Sequence, residues 1–264
     1  RHPFPAFCRW LRHVTLPSGF LVPFGDTFFH NRPPPSLLFA IAHATRDPLI
    51  QWQALQAAKS ARSAEEPSPF DLLWFDESLP ARPPSADEPL GHLFPAHSGI
   101  ITSRSSWEDP AAIALVGKGG HGQEAHGHHD AGTLCLFGNG EFLITEPGNI
   151  SSYPADFFGP NRYAYYNASV FGHNVLQFGG REMRTGPEFR ARFLDARFDN
   201  RKGALWLVDT TELYDHVQFV RRLVVHLLPG IVAVLDQARL TRTEHLSLRW
   251  HTATPVDPDP NGTF

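Results

Sequence analysis

Four histidines fall within nine residues in the run His121-Gly122-Gln123-Glu124-Ala125-His126-Gly127-His128-His129-Asp130-Ala131-Gly132. Neutral imidazole is a common metal ligand, and a histidine-dense tract is a metal-binding composition. Side chains alternate in an extended segment, so His126 and His128 are expected on one face and His129 on the other. A carboxylate follows in Thr145-Glu146-Pro147-Gly148, and another imidazole in Phe171-Gly172-His173-Asn174-Val175. Two imidazoles, a carboxylate and a water match the usual tetrahedral shell of zinc. Asp130 or Asn174 is placed to orient such ligands from behind.

These groups must be brought together by β-structure. Gly138-Asn139-Gly140 marks a hairpin turn between the apolar runs 133–137 and 142–144. A tight hairpin sets Glu146 opposite Gly132 and leaves His128 four residues further along, roughly 13 Å away at strand rise. The Asp130-Ala131-Gly132 corner must therefore fold His128 back. Further strand-like runs occur at 112–116, 175–178, 190–198, 204–213, 217–228, 231–238 and 246–251, separated by turn residues and with no helical pattern between them. That series predicts an antiparallel sandwich.

Upstream the period is helical. Phe7, Trp10, Leu11 and Val14, then Leu37, Leu38, Ile41 and Ala42, then Ile50, Trp52, Leu55 and Ala58 recur at helix spacing. The middle helix is punctuated by three prolines before Ser36 and by Arg46-Asp47-Pro48 after it. From Glu65 to Pro95 a Pro- and Ser-rich stretch breaks any element longer than a turn or two and reads as a linker. The expected organisation is helices and linker over 1–92 and an antiparallel β-sandwich over 93–264.

The chain of 264 residues, 42% hydrophobic, is long enough for a substantial core. A net charge of -4 offers no global field to gather nucleic acid or an acidic glycan, so an anionic ligand needs local basic groups. Arg162, Arg181, Arg184, Arg190 and Arg192 are candidates, since a guanidinium offers a bidentate fork. Arg190 and Arg192, alternating, read better as the solvent face of a strand. Cys8 and Cys135 lack CxxC partners and read as small buried hydrophobes. No apolar run is long enough for a membrane helix.

The order His-x-His-x-Asp-Ala-Gly, hairpin, carboxylate-Pro-Gly, tyrosine-rich loop and Gly-His-Asn-Val resembles the sandwich domain of heparinase II/III-like polysaccharide lyases. Phe94-Pro95, Gly99-Ile100, Ser103-Arg104-Ser105, Trp107 and the earlier Pro23-Phe24-Gly25-Asp26 strengthen the resemblance. It implies an α+β multidomain fold, with closing helices of an (α/α) toroid followed by the large sandwich. It also implies His128, Glu146 and His173 as ligands of a structural zinc, with Glu146 where the family usually has Asp. His126 resembles a histidine facing the substrate groove, and of the loop tyrosines Tyr163 is preferred over Tyr153 as a groove residue. Arg162, Arg181 and Arg184 would grip the substrate.

The activity so implied is β-elimination on uronate-containing glycans, glycosaminoglycan or alginate, in the periplasm or cell envelope. The partner would be an anionic polysaccharide or oligosaccharide, with no nucleic acid and no membrane insertion. Such chemistry needs a base for the C5 proton, an acid for the leaving oxygen and donors for the enolate-like intermediate. The family's upstream Asn/His pair and toroid tyrosine have no counterpart here, and the chain starts Arg1-His2-Pro3. It is therefore read as a fragment or an incomplete member. A non-catalytic carbohydrate-binding sandwich is the rival reading. A cupin is disfavoured because Gly132 and Thr133 stand where its motif wants Glu.

Overall fold

Proline stands in the first turn of each α-helix among the described residues, where its missing N–H costs nothing and its fixed φ helps. These helices are α1 (Phe4–Val14), α2 (Pro35–Thr45), α3 (Pro48–Ala61) and α4 (Pro69–Trp74). The computed structural model describes residues 3–61, 68–95, 99–123, 126–149 and 152–254. Helix α2 stops at Arg46, which turns left-handed at φ 52°. The Asp47 carboxylate then accepts from the Leu49 and Ile50 N–H groups and starts α3. The described part of the 65–95 linker holds α4, where Ser68 and Asp71 cap each other, and ends in a short strand at Gly91–Phe94.

A five-stranded antiparallel meander follows: β1 (Gly91–Phe94), β2 (Ile100–Arg104), β3 (Ala114–Lys118), β4 (Leu134–Gly138) and β5 (Glu141–Ile144), in that order. Beyond it, β6 (Leu176–Phe178) pairs with β11 (Leu246–Leu248). The second large sheet has the order β10-β9-β8-β7, with β7 at Arg192–Asp199, β8 at Gly203–Asp209, β9 at Val217–Leu227 and β10 at Ile231–Leu240. The antiparallel sandwich expected from the strand series is present. The described helices form one layer beside it and do not close into a ring.

Strand β3 is buried along its whole length because both of its faces are covered. Ala114 and Val116 point to the helices, joining Leu11, Leu38, Ile50, Cys135 and Phe137 in one core. Leu115 points the other way, meeting Ile101, Leu134, Trp206 and Val224 between the sheets. Both cysteines are free and buried in the helix-side core, as small hydrophobes should be. A third core, around Val170, Val175, Phe178, Val208 and Val220, closes the end of the sandwich nearest the histidine tract.

His13, in the last turn of α1, is 1% exposed, and its Nδ1 lies 2.8 Å from the Thr102 hydroxyl on β2. Burial, reinforced by Arg104 and Arg12, pushes its pKa down to about 2. The unfolded chain would protonate this ring near pH 6.5 while the folded one does not. The stability that His13 contributes is therefore complete above that pH and falls as pH drops below it, by about 1.4 kcal/mol per pH unit. Urea melts at pH 7 and pH 5 should show His13→Asn losing less stability on acidification than wild type. Equal losses would mean that His13 is not held neutral.

Candidate functional site

The site is built where three loops meet at one end of the five-stranded sheet. The α1–α2 connection carries Asp26, the β3–β4 connection carries His126, His128 and Asp130, and the long segment after β5 carries Glu146, Tyr153, Arg162 and His173. Asp26 ties the first two together. Its Oδ2 lies 2.6 Å from His126 Nδ1 and its Oδ1 2.9 Å from His128 Nε2. Burial works against this carboxylate's charge, but hydrogen bonds from His128, His126 and Tyr153 outweigh it and hold its pKa below the ordinary range. An ionised carboxylate only accepts, so both imidazoles donate their N–H to it.

His126 and His128 thus share a side, as alternation predicts, while His129 turns to Glu182 at 2.7 Å and Thr185 at 3.2 Å. The cause is a turn and not a strand, because His126 has φ 58°. Glu124 and Ala125 lie outside the described residues. Gly25 is needed beside that turn: a Cβ there would sit 2.8 Å from the His126 carbonyl oxygen.

Behind His126 the site is buried. His128, Asp130 and His173 offer ligand atoms that all lie within 4.8 Å of one another. Each imidazole has one nitrogen on a carboxylate, His128 Nε2 on Asp26 and His173 Nδ1 on Glu146. The opposite nitrogens, His128 Nδ1 and His173 Nε2, are buried without a hydrogen-bond partner. Imidazoles so fixed from behind, with the other nitrogen left over, have the form of metal ligands. Two such nitrogens buried close together fit a bound cation. Burial lowers the His128 pKa despite Asp26, whereas at His173 the opposing effect of burial is overcome by Glu146 and the pKa rises. Asp130 is completely buried, and Lys118 Nζ binds its two oxygens at 2.6 and 2.8 Å.

Glu146 is not part of that group of three. One of its oxygens takes the Thr133 hydroxyl and the Asn174 amide and N–H, and the other takes His173 Nδ1. The geometry sets Glu146 on His173 Nδ1 and Asp130 beside the two imidazoles. The hairpin register explains its position. Asn139 and Gly140 form a two-residue loop with φ 53° and 86°, and a bulge between Leu136 and Phe137 pairs Leu136 with Ile144. Continued, that register carries Glu146 to the level of Leu134, not Gly132.

In front of His126 lies a groove of about 550 Å³ whose walls include Trp10, Asp26, Phe28, Lys118, His126 and Tyr153. Tyr163, preferred from sequence, does not line it: the ring stacks on His129 at 3.6 Å and the hydroxyl donates to the Gly122 carbonyl. Tyr153 is the groove tyrosine, 40% exposed. The three expected substrate arginines are not in the lining either. Arg162 braces the site from below, donating to the Gly127 carbonyl at 2.9 Å and facing Asp26 at 3.5 Å. Arg181 pairs with Glu244, and Arg184 with Asp215. Arg192 pairs with Glu212 on the surface, as a solvent-facing strand residue would. The cationic or ionisable basic groups lining the groove, among the described residues, are Lys118 and His126.

Asn174, expected from the sequence as an orienting residue, and Arg222, which the sequence did not single out, position the site from behind. Asn174 donates to the Thr145 carbonyl at 2.7 Å and to Glu146 at 2.8 Å, and accepts from the His251 N–H at 2.7 Å. Arg222 on β9 reaches the Asn174 and Gly132 carbonyls while gripping Asp236 on β10 with a bidentate fork at 2.7 and 2.8 Å. The only sequence signal for Asp26 was its place in Pro23-Phe24-Gly25-Asp26.

Residues 95–261 match the family model described as heparinase II/III-like, C-terminal. The chain belongs to the heparinase II/III-like C-terminal family. Solved structures similar to this heparinase II/III-like chain include heparan sulfate lyase HepC from Pedobacter heparinus, at 20% identity and TM-score 0.61, covering 90% of this chain and 32% of that one. A heparinase III structure matches at 17% identity and TM-score 0.64, covering 96% and 36%. Another heparinase III gene product, with methylated lysines, matches at 14% identity and TM-score 0.70, covering 94% and 33%. At such identities these structures bear on the fold alone. The chain spans about a third of the length of these solved relatives. No curated protein sequence matches it.

Proposed function

We propose that this chain carries the sandwich side of a polysaccharide lyase site that cleaves uronate-containing glycans by β-elimination. The supporting observation is the Asp26–His126 pair at the groove. With its Nδ1–H donated to Asp26, His126 presents an Nε2 lone pair on a ring that is 60% exposed. That nitrogen is placed to remove the C5 proton of a bound uronate. Lys118, shared with Asp130, is the cation in the groove lining placed to neutralise the uronate carboxylate as the carbanion forms. The Tyr153 hydroxyl is the nearest candidate to protonate the departing 4-linked oxygen. In this reading residues 1–92 are the closing helices of a toroid and 93–264 the sandwich.

The same proposal assigns a structural zinc to His128 Nδ1 and His173 Nε2. Asp130 is the carboxylate beside them, and Glu146 acts through His173. When bound, the ion would brace the loops that present His126. Elemental analysis of purified protein should find about one zinc per chain. His128→Ala and His173→Ala should lose it, and Asp130→Asn should retain less than Glu146→Gln. The reverse order would make Glu146 the direct ligand. Absence of metal from wild type would remove the zinc assignment.

A non-catalytic carbohydrate-binding sandwich is the second reading, favoured by the chain's spanning only about a third of its solved relatives. Incubation with uronate polymers separates the two. A lyase produces the unsaturated uronate, absorbing in the near ultraviolet, whereas a binding module retains polymer without product.

A further inference from the structure

Arg104, on β2, is 5% exposed, and its guanidinium donates to the backbone carbonyls of Arg12, His13 and Thr15. Among the described residues no carboxylate lies within ion-pair distance of it. Buried arginine is ordinarily matched by an acid, because a desolvated charge is costly. Burial and the neighbouring Arg12 push the Arg104 pKa down to about 9, and no acid counteracts them. Arg12, also 6% exposed, spends one nitrogen on Glu88.

Both arginines line a cavity of about 430 Å³ between α1, α3 and the β2–β3 loop. It shares no lining residue with the groove of His126. Its volume falls within the roughly 300–1,000 Å³ of small-molecule sites. Trp52 and Trp107 provide flat apolar walls, and the Arg104 guanidinium stacks 4.0 Å from the Trp107 ring centre. Arg12 Nε, Arg104 Nε, Trp107 Nε1 and both polar atoms of Gln53 are buried without partners. Buried polar groups are nearly always satisfied, so five such atoms around one cavity mark it out. Four of the five sit on N–H groups, and because each is buried beneath the cavity surface, a ligand would reach them only as the side chains turn toward it. Glu108 and Asp109 also line the cavity but are exposed.

We propose that this cavity is a second saccharide site, which holds an acidic sugar unit through Arg104, Arg12 and Gln53 and stacks it on Trp52 and Trp107. The sugar class rests on the lyase reading, whereas the preference for an oxyanion rests on the unpaired Arg104. The site would anchor polymer away from the groove where bonds are broken.

Calorimetric titration of the full chain with a disaccharide of hexuronate and sulfated hexosamine tests it. Its uncharged counterpart, carboxyl-reduced and desulfated, and inorganic sulfate serve as controls. The acidic disaccharide should bind at least about tenfold more tightly than either control, a difference of roughly 1.4 kcal/mol. Gln53→Leu and Lys59→Ala, the latter at an exposed cation of the same lining, should each weaken it about three- to tenfold, and His126→Ala should leave it unchanged. No binding up to about 10 mM overturns the proposal, a limit of weaker than roughly 3 kcal/mol. Equal binding of the neutral sugar or of sulfate overturns it, as does an unaltered Gln53→Leu. Loss of binding in His126→Ala assigns the signal to the groove and also overturns it. Failure of the lyase reading would appear separately, as no unsaturated product from wild type.

Discussion

Exchanging the Asp26 carboxylate for an amide is expected to slow elimination about 10²–10⁴-fold and, in the same variant, to weaken metal retention about 10–100-fold. Asp26 fixes two tautomers at once, through His126 Nδ1 and His128 Nε2. In Asp26→Asn one or both imidazoles must meet an amide N–H where they met an acceptor. For His126 the relieving change moves the proton to Nε2, which removes the lone pair from the groove. For His128 the same change moves the proton to Nδ1, the nitrogen otherwise left unpartnered. His126→Ala separates the two effects, since it should show the rate loss with zinc content unchanged. Unsaturated-product formation and elemental analysis on both variants decide the matter. An Asp26→Asn protein with normal rate and normal metal would mean that the pairing is incidental.

Arg222→Ala should destabilise the fold by about 3–5 kcal/mol, because it strands a largely buried Asp236 and strips two carbonyls of their donor. At this size that corresponds to a fall in Tm of roughly 6–20 °C. Arg222 is 4% exposed and spans from the four-stranded sheet to the Asn174 and Gly132 backbones. Lysine, with one compact ammonium, cannot reproduce the fork to Asp236 together with the carbonyl bonds, so Arg222→Lys should recover only part of the loss. Thermal melts of the three proteins check this. An Arg222→Ala melt within about 2 °C of wild type, under roughly 1 kcal/mol, would show that the pair contributes little.

The elements were legible because their signals are local. Pro35 and Arg46-Asp47-Pro48 bound α2 where the punctuation predicted, and Leu115 between Ala114 and Val116 shows the alternation of a strand. The site histidines were legible for the same reason, since His126, His128 and His173 stand in recognisable short motifs. What the sequence did not show depended on register or on distance along the chain. A single bulge at Leu136/Phe137 moved Glu146 away from its expected neighbour. The loop from Asn149 to His173 has no periodicity to say which tyrosine turns outward, and it turned Tyr153 to the groove and Tyr163 to His129. Arg162, Arg181 and Arg184 were judged by type alone, but acids and carbonyls elsewhere in the chain had already engaged them. Asp26 lies a hundred positions before His126 in the chain, beyond the reach of any local pattern.

That separation gives the site a seam. The acceptor comes from the loop between the first two helices and the imidazoles from the sandwich, so neither portion holds a complete set. A sandwich expressed without its helices would keep all three histidines yet lose the group that orients two of them. Conversely, any ligand that firms the groove must also clamp helical layer to sheet. Binding at the seam would therefore register as resistance to separation of the two portions, making the pairing of Asp26 with His126 and His128 an internal gauge of whether they are docked.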